Sequence, residues 1–458
     1  MENFINTLRS RRDFMRLAAQ GTAATTAWLT LGGATSSNVD TSGYKALVCI
    51  YLAGGNNGFN MVVPTTNAAY ATYAASRSNL ALAQGELLPL NGRASDGNAY
   101  GLHPMMSEVQ SLFNAGRVAI LGNVGTLVQP TSIAQARAAS VPLPRQLFSH
   151  LDQQTEWMTS LPDRADRTGW AGRIADLYVQ QGYAPRLAVN ITIGGSNYWQ
   201  EGSRTQPYTL GAGGAPVLSV TANNFFRGGT RAQAAQALID QAAADANLMT
   251  AEFANIEISA ASKVAVVNTA FSANGDIATT FPSFPGDSGL GTQLRQVARA
   301  IKARTSLDSR QIFFVRIGGF DTHNAELATQ NSLLRILSAN ISAFWTAMNE
   351  VNAQDDVTLF TMSDFGRSLG SNGDGSDHAW GNHHLIMGGA VRGGYYGAMP
   401  NLTVGGPDDV GQGRILPSTS TDQYGATLTR WFGVPDGELN TVFPNLRGFS
   451  TRTLPFLG

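Results

Sequence analysis

The chain contains six histidines, and three of them, His378, His383 and His384, fall within seven residues. Asp374 and Asp377 lie beside them in a stretch rich in Gly, Asn and Ser. Immediately upstream, residues 357–361 (VTLFT) form a run of β-branched and large apolar residues, which suits a strand covered on both faces of a sheet. SDFGR follows as a polar turn at that strand's carboxyl end and brings Asp364 and Arg367. A second strand, QIFFVRI at 311–317, ends in GGFDTH, where Asp321 and His323 are two apart and share a face if the strand continues. A carboxylate and an imidazole so placed suit Zn²⁺, Mn²⁺ or Fe. The plainer alternative is a hydrogen-bonded Asp–His pair without metal. Open α/β sheets bind ligands at the carboxyl ends of their strands, so the loop between 364 and 384 is expected to close a metal-bearing hydrolytic site.

Three further segments could contribute. Ser149, in QLFSHLDQQTEW, precedes a helical pattern. It reads equally as a helix cap, with Asp152 only partly completing a capping box, or as a nucleophile at a helix amino terminus. Residues 54–60 (GGNNGFN) follow the first strand, and Gly and Asn tolerate the backbone angles of a sharp turn. A side chain such as Asn57 could there reach a metal or substrate, or simply build the turn. His103 stands just before a helix start and reads as a cap, a supporting group or a ligand.

The elements that must position these groups read as strands at 44–53, 117–122, 187–193, 311–317 and from 357 onward. Helices are expected near 104–113, 292–304, 333–349 and 418–432, with one long Ala-rich helix over 231–264. A Pro/Gly linker at 281–291 could mark a boundary, yet strands on both sides suit one sheet. We therefore expect a single α/β domain over 38–458. Apolar content of 43% supplies a sizeable core. The net charge of −1 gives no electrostatic footprint for nucleic acid. One cysteine, Cys49, excludes an internal disulfide and reads as a small buried hydrophobe.

Ser10-Arg11-Arg12-Asp13-Phe14-Met15, a weakly apolar segment to Leu31 and small residues to Ser37 have the order of a twin-arginine export signal. The apolar region is short for a membrane span, so membrane attachment is expected only through an uncleaved signal. The expected location is periplasmic or secreted.

Taken in order, the twin-arginine start, GGNNGFN, SH followed by QxxE, GWAGR at 169–173, GGFDTH, SDFGR, DHAWGNHH and GGYYG resemble the domain-of-unknown-function 1501 family. Members of that family are related to the alkaline phosphatase and sulfatase superfamily, and the likeness covers nearly all of the chain beyond the signal. It implies an alkaline-phosphatase-like three-layer sandwich, a central mostly parallel sheet with helices on both faces and metals at the strands' carboxyl ends. Carried over by position, Asn57 stands at the first Asp and Ser149 at the nucleophile. Asp321 and His323 would form the first metal's pair, His378 or His383 the late His, and Asp364 the carboxylate of the SDFG turn. Two departures matter: Asn57 stands where an acid is expected, and Phe365 stands where phosphatases place a ligating His. One divalent metal (Zn, Mn or Ca) is therefore expected rather than two. The implied function is an exported metal-dependent hydrolase of phosphate or sulfate esters acting on a small anionic substrate, with Arg367 or Arg145 balancing the oxyanion. The alternative is a catalytically inactive, sulfatase-like envelope protein with a binding or assembly role and an envelope partner.

Overall fold

The computed structural model describes residues 38–214, 229–285 and 287–458. The expected export signal lies outside the described residues. The core is a sheet built from strands β1 (Lys45–Leu52), β2 (Val118–Gly125), β3 (Asn190–Thr192), β4 (Tyr208–Thr209), β5 (Arg310–Ile317), β6 (Val357–Ser363), β7 (Asn382–Gly388), β8 (Gly394–Tyr396) and β9 (Thr419–Ser420). Their order is β8-β2-β7-β6-β1-β5-β3-β4, with β9 also paired to β2. All pairings are parallel except those of β7, which runs antiparallel to both β2 and β6. Strands from both sides of the 281–291 linker thus join one sheet.

The side chains of β1 explain the layering. Ala46, Val48, Ile50 and Leu52 belong to one apolar cluster, and Leu47, Cys49 and Tyr51 to another, because successive strand residues point to opposite faces. The first cluster is completed by helices α1 (Ser107–Asn114), α6 (Leu290–Lys302) and α7 (Glu326–Glu350). The second is completed by α2 (His150–Thr159), α3 (Trp170–Gln180) and α8 (Thr421–Phe432). Helices therefore cover both faces of a mostly parallel sheet, the three-layer arrangement expected. Cys49 is fully buried, and burial pushes its thiol well up.

Two expectations are corrected. The long helix over 231–264 is an antiparallel pair, α4 (Gly229–Ala243) and α5 (Leu248–Asn274). Asn247 breaks the run by capping α5, its side chain accepting from the N–H groups of Met249 and Thr250. The stretch read as a His-rich loop is mostly ordered sheet: Arg367–Ser371 and Ser376–His378 pair as a hairpin, and β7 already begins at Asn382.

Candidate metal centre

Register sets the site. Leu52 of β1 pairs with Ile317 of β5 and with Ser363 of β6, so three strands end at one level. The segments that follow them, at 53–57, 318–323 and 364–367, must converge there. Close approach requires glycine at position 54: a Cβ at Gly54 would lie 2.4 Å from the Asp321 nitrogen, and its φ of +117° is left-handed territory.

The fourth contributor is the amino end of α2. There the backbone enters through Gln146 and Phe148 at φ of 45° and 75°, a strained path for residues with side chains. That path aims the Phe148 carbonyl at Nδ1 of His378, 2.7 Å away, and puts His150 at the head of the helix. Nδ1 of His150 lies 2.7 Å from Oδ2 of Asp364. The other oxygen of Asp364 accepts from the Tyr51 hydroxyl at 2.6 Å and the Gly54 N–H at 3.2 Å. Both imidazoles therefore donate through Nδ1 to a fixed oxygen, a tautomer assigned from these partners, and present Nε2 outward.

Those Nε2 atoms meet at Asp321. Oδ1 of Asp321 is 3.4 Å from Nε2 of His150, 3.3 Å from that of His378 and 3.1 Å from that of His323. Nε2 of His323 and His378 are 2.9 Å apart. Four ligands on a tetrahedral Zn²⁺, at bonds of roughly 2.0–2.1 Å, stand about 3.3 Å from one another, so these separations are those of a coordination shell. Among the described residues, His150, Asp321 and His378 form the one group of three such donors close enough to hold a metal ion. Nε2 of His150 is buried and has no hydrogen-bond partner, which costs free energy unless something binds it. The donor set fits a divalent cation.

Surrounding groups fix the charges. Burial raises the Asp321 carboxyl, but the hydrogen bond and charge of Arg367, helped by His150 and His323, outweigh it and bring it down to about 2. The hydrogen bond to Asp364 raises His150 above the usual imidazole range against the effect of burial. Burial lowers His378, aided by the nearby charges of Arg367 and His150. The Phe365 ring packs 4.8 Å from that of His150 and 4.5 Å from that of His378, an apolar floor beneath the two imidazoles. Asp321 keeps 47% of its side chain exposed, so the centre is open to solvent on one side.

Six of the candidate residues have other partners in the fold. His383 faces the core from β7, packing against Phe59, and its Nδ1 accepts from the Asn123 N–H at 3.1 Å. Burial drives its pKa down to about 3, so it is a neutral core residue outside the cluster. Asn57 is likewise buried: its side-chain oxygen accepts from the Asn60 N–H and caps the short helix Gly58–Met61, and its amide donates to Glu326, so both ends of the amide are engaged within the fold. Asp364 has both oxygens engaged, as above, and acts as the holder of His150 rather than as a ligand. Arg367 is fully buried and donates to the carbonyls of Gly54, Gly55, Phe320 and Ser376 and, at 2.5 Å, to Asp321, so it cannot reach a substrate. Ser149 precedes α2, with its hydroxyl donating to Asp152 at 2.7 Å. His103 is buried, accepts from the Met105 N–H and is pushed down to about 4 by burial. Asp321, His323 and His378 are brought together. His150, the imidazole of the SH pair, joins this cluster, a placement that its spacing in the sequence does not reveal.

The family model for a protein of unknown function, DUF1501, matches residues 44–439. The chain belongs to the DUF1501 family. No curated protein matches this DUF1501 chain. Among solved structures, it is similar to a Bacteroides thetaiotaomicron protein from work on glycosaminoglycan metabolism, at 8% identity over 86% of this chain and 74% of that one, with a TM-score of 0.34. A 2-O GAG sulfatase matches at 11% identity over 88% and 74%, with a TM-score of 0.29. A mutant of the alkaline phosphatase PafA matches at 10% identity over 72% and 64%, with a TM-score of 0.28. At such scores the chemistry of this DUF1501 chain rests on its own side chains. None of its helices, among the described residues, is long and apolar enough to cross a membrane.

Proposed function

We propose that this chain is an exported, metal-dependent hydrolase of phosphate or sulfate esters with a single divalent cation held by His150, Asp321 and His378, and with His323 alongside. The observation that carries the reading is the convergence of three imidazole Nε2 atoms on one carboxylate oxygen at ligand-to-ligand distances, one of them buried without a partner. A bound Zn²⁺, Mn²⁺ or Ca²⁺ would supply Lewis-acid polarisation of an ester oxygen and ease the deprotonation of water. The protein's own part is orientation. Asp364 and the Phe148 carbonyl fix two imidazoles, Arg367 fixes Asp321, and Phe365 keeps water from the floor of the site.

Charge supports a cation as well. Around His323 and His378 the carboxylates Asp321, Asp364 and Asp377 outnumber the guanidiniums of Arg367 and Arg414. That field repels a phosphate or sulfate, and a divalent ion removes the repulsion. Ser149 remains the nucleophile candidate beside water; Ser149→Ala abolishes turnover if its hydroxyl attacks and leaves it largely intact if water does.

The test starts from metal-stripped full chain, reloaded separately with Zn²⁺, Mn²⁺ and Ca²⁺. One metal per chain and metal-dependent hydrolysis of an aryl phosphate or aryl sulfate are expected, both lost in Asp321→Ala. Stoichiometry below about 0.3 with no activity under any metal would sink the reading. The second reading, a catalytically inactive envelope protein with a binding role, draws on the placement of Asn57 and Arg367. One is consumed as a helix cap, where a second metal would need a ligand, and the other as the counter-charge of Asp321, where an oxyanion would need a cation.

A further inference from the structure

The α4–α5 hairpin carries a concentration of exposed large apolar side chains. Its root is ordinary core: Val267, Ala270 and Phe271 of α5 are buried in the apolar cluster that includes α6. Toward the turn between the helices the same pair becomes apolar and exposed. Leu248 and Met249 keep 83% and 82% of their surface in solvent, Leu238 67%, Phe253 65% and Ile256 57%. Isolated apolar side chains on a surface need no explanation, but five large ones around one hairpin tip do.

Three of them share one face of α5. Met249, Phe253, Ile256 and Ala260 follow one another at steps of four, three and four, and Val267 continues the stripe into the core. A repeat close to the helical period of about 3.6 residues keeps these side chains on one face of the helix. Within the body the fold provides a neighbour for that face; toward the tip none of the described residues provides one.

We propose that the tip of the α4–α5 hairpin is a dimer interface covered by the same hairpin of a second copy of this chain. Area favours this occupant. With roughly 200 Å² for a fully exposed large side chain, the five residues offer about 700 Å² per copy, close to the ~800 Å² per partner of a standard specific interface. Charge disfavours a lipid surface. Between residues 232 and 262 the only charged side chains are Asp240, Asp245, Glu252 and Glu257, whereas interfacial membrane helices draw on Lys and Arg. Glu252 and Glu257 flank the stripe between Met249 and Ala260. The same patch on two copies can close on itself about a twofold axis, with the acidic flanks left at the rim. This interface is independent of what the metal centre does.

Sedimentation of the full chain should show a dimer whose affinity rises with salt, because salt screens the acidic flanks. Phe253→Glu combined with Ile256→Glu should give a monomer with unchanged helical circular dichroism, whereas Asn268→Asp on the same helix should leave the dimer intact. Phe253→Cys should cross-link between copies on mild oxidation, since the chain's own Cys49 is buried. A chain that stays monomeric to about 100 µM overturns the proposal, as does a double glutamate variant that still dimerises. A monomer that floats with neutral phosphatidylcholine vesicles overturns it in favour of a lipid occupant.

Discussion

Replacing Asp364 by Asn exchanges one carboxylate oxygen for an amide nitrogen at a position only 5% exposed. The amide oxygen can still accept from Tyr51 and the Gly54 N–H, which the native Oδ1 does at 2.6 and 3.2 Å. The new NH₂ then faces Nδ1 of His150, which in the wild type donates across 2.7 Å to Oδ2. Two donors cannot share that contact, so the His150 proton moves to Nε2 and blocks the lone pair turned toward Asp321. Removing the outer hydrogen-bond partner of a metal-binding histidine costs about 10–100-fold in affinity, or roughly 1.4–2.7 kcal/mol. The assay is chelator-competition titration of stripped wild type and variant with Zn²⁺ at fixed pH, with circular dichroism to confirm an unchanged fold. A variant that keeps its fold and binds Zn²⁺ within about twofold of wild type refutes the assignment of Asp364 as the holder of a liganding His150.

Other substitutions separate core from centre. His383→Ala should leave metal stoichiometry unchanged but lower unfolding free energy by about 2–4 kcal/mol, since it empties a packed site and orphans the Asn123 N–H; denaturant unfolding beside metal analysis checks both halves. Glu326→Gln leaves Arg77 without a countercharge in a pair 2.9 Å apart with neither side chain exposed. A loss of about 3–5 kcal/mol is expected by the same measurement. Asp422 gives the pH dependence: burial pushes its carboxyl up to about 7 against the opposing pull of Ser160 and Arg173. An unfolded aspartate ionises near 3.9, so between about 4 and 7 the folded chain holds a proton that the unfolded chain has released. Each unit of pH rise across that window therefore costs stability, up to ~4 kcal/mol in all, and the cost is complete above about 7. Asp422→Asn should unfold at higher temperature than wild type at pH 8, with the gap narrowing toward pH 4; a gap independent of pH contradicts the assignment.

Much of the frame was legible because it depends on local pattern. The apolar runs that became β1, β5 and β6 are long and rich in β-branched residues, and each ends in glycine or polar residues within two positions of where the strand ends. Asp321 and His323 could be paired because they are neighbours in the chain. The direction of β7 was not legible: its apolar run suits a parallel or an antiparallel strand equally, and only its pairing with β2 and β6 decides. That strand carries His383 and His384 into the interior, both neutral with pKa values near about 3, so two of the three clustered histidines are core.

By itself the sequence determined that acidic and imidazole groups sit at the carboxyl ends of buried strands, since apolar periodicity and turn residues are local properties. Which of them share a site was decided only in three dimensions. His150 and Asp364, 214 positions apart, meet because a strained turn at Phe148 and the common level of three strand ends place them 2.7 Å from each other. Arg367 and Asn57, both plausible ligand or substrate contacts as residue types, are instead consumed by backbone carbonyls and a helix cap. Hydrogen-bond capacity is finite, and its allocation depends on neighbours that no linear spacing reveals.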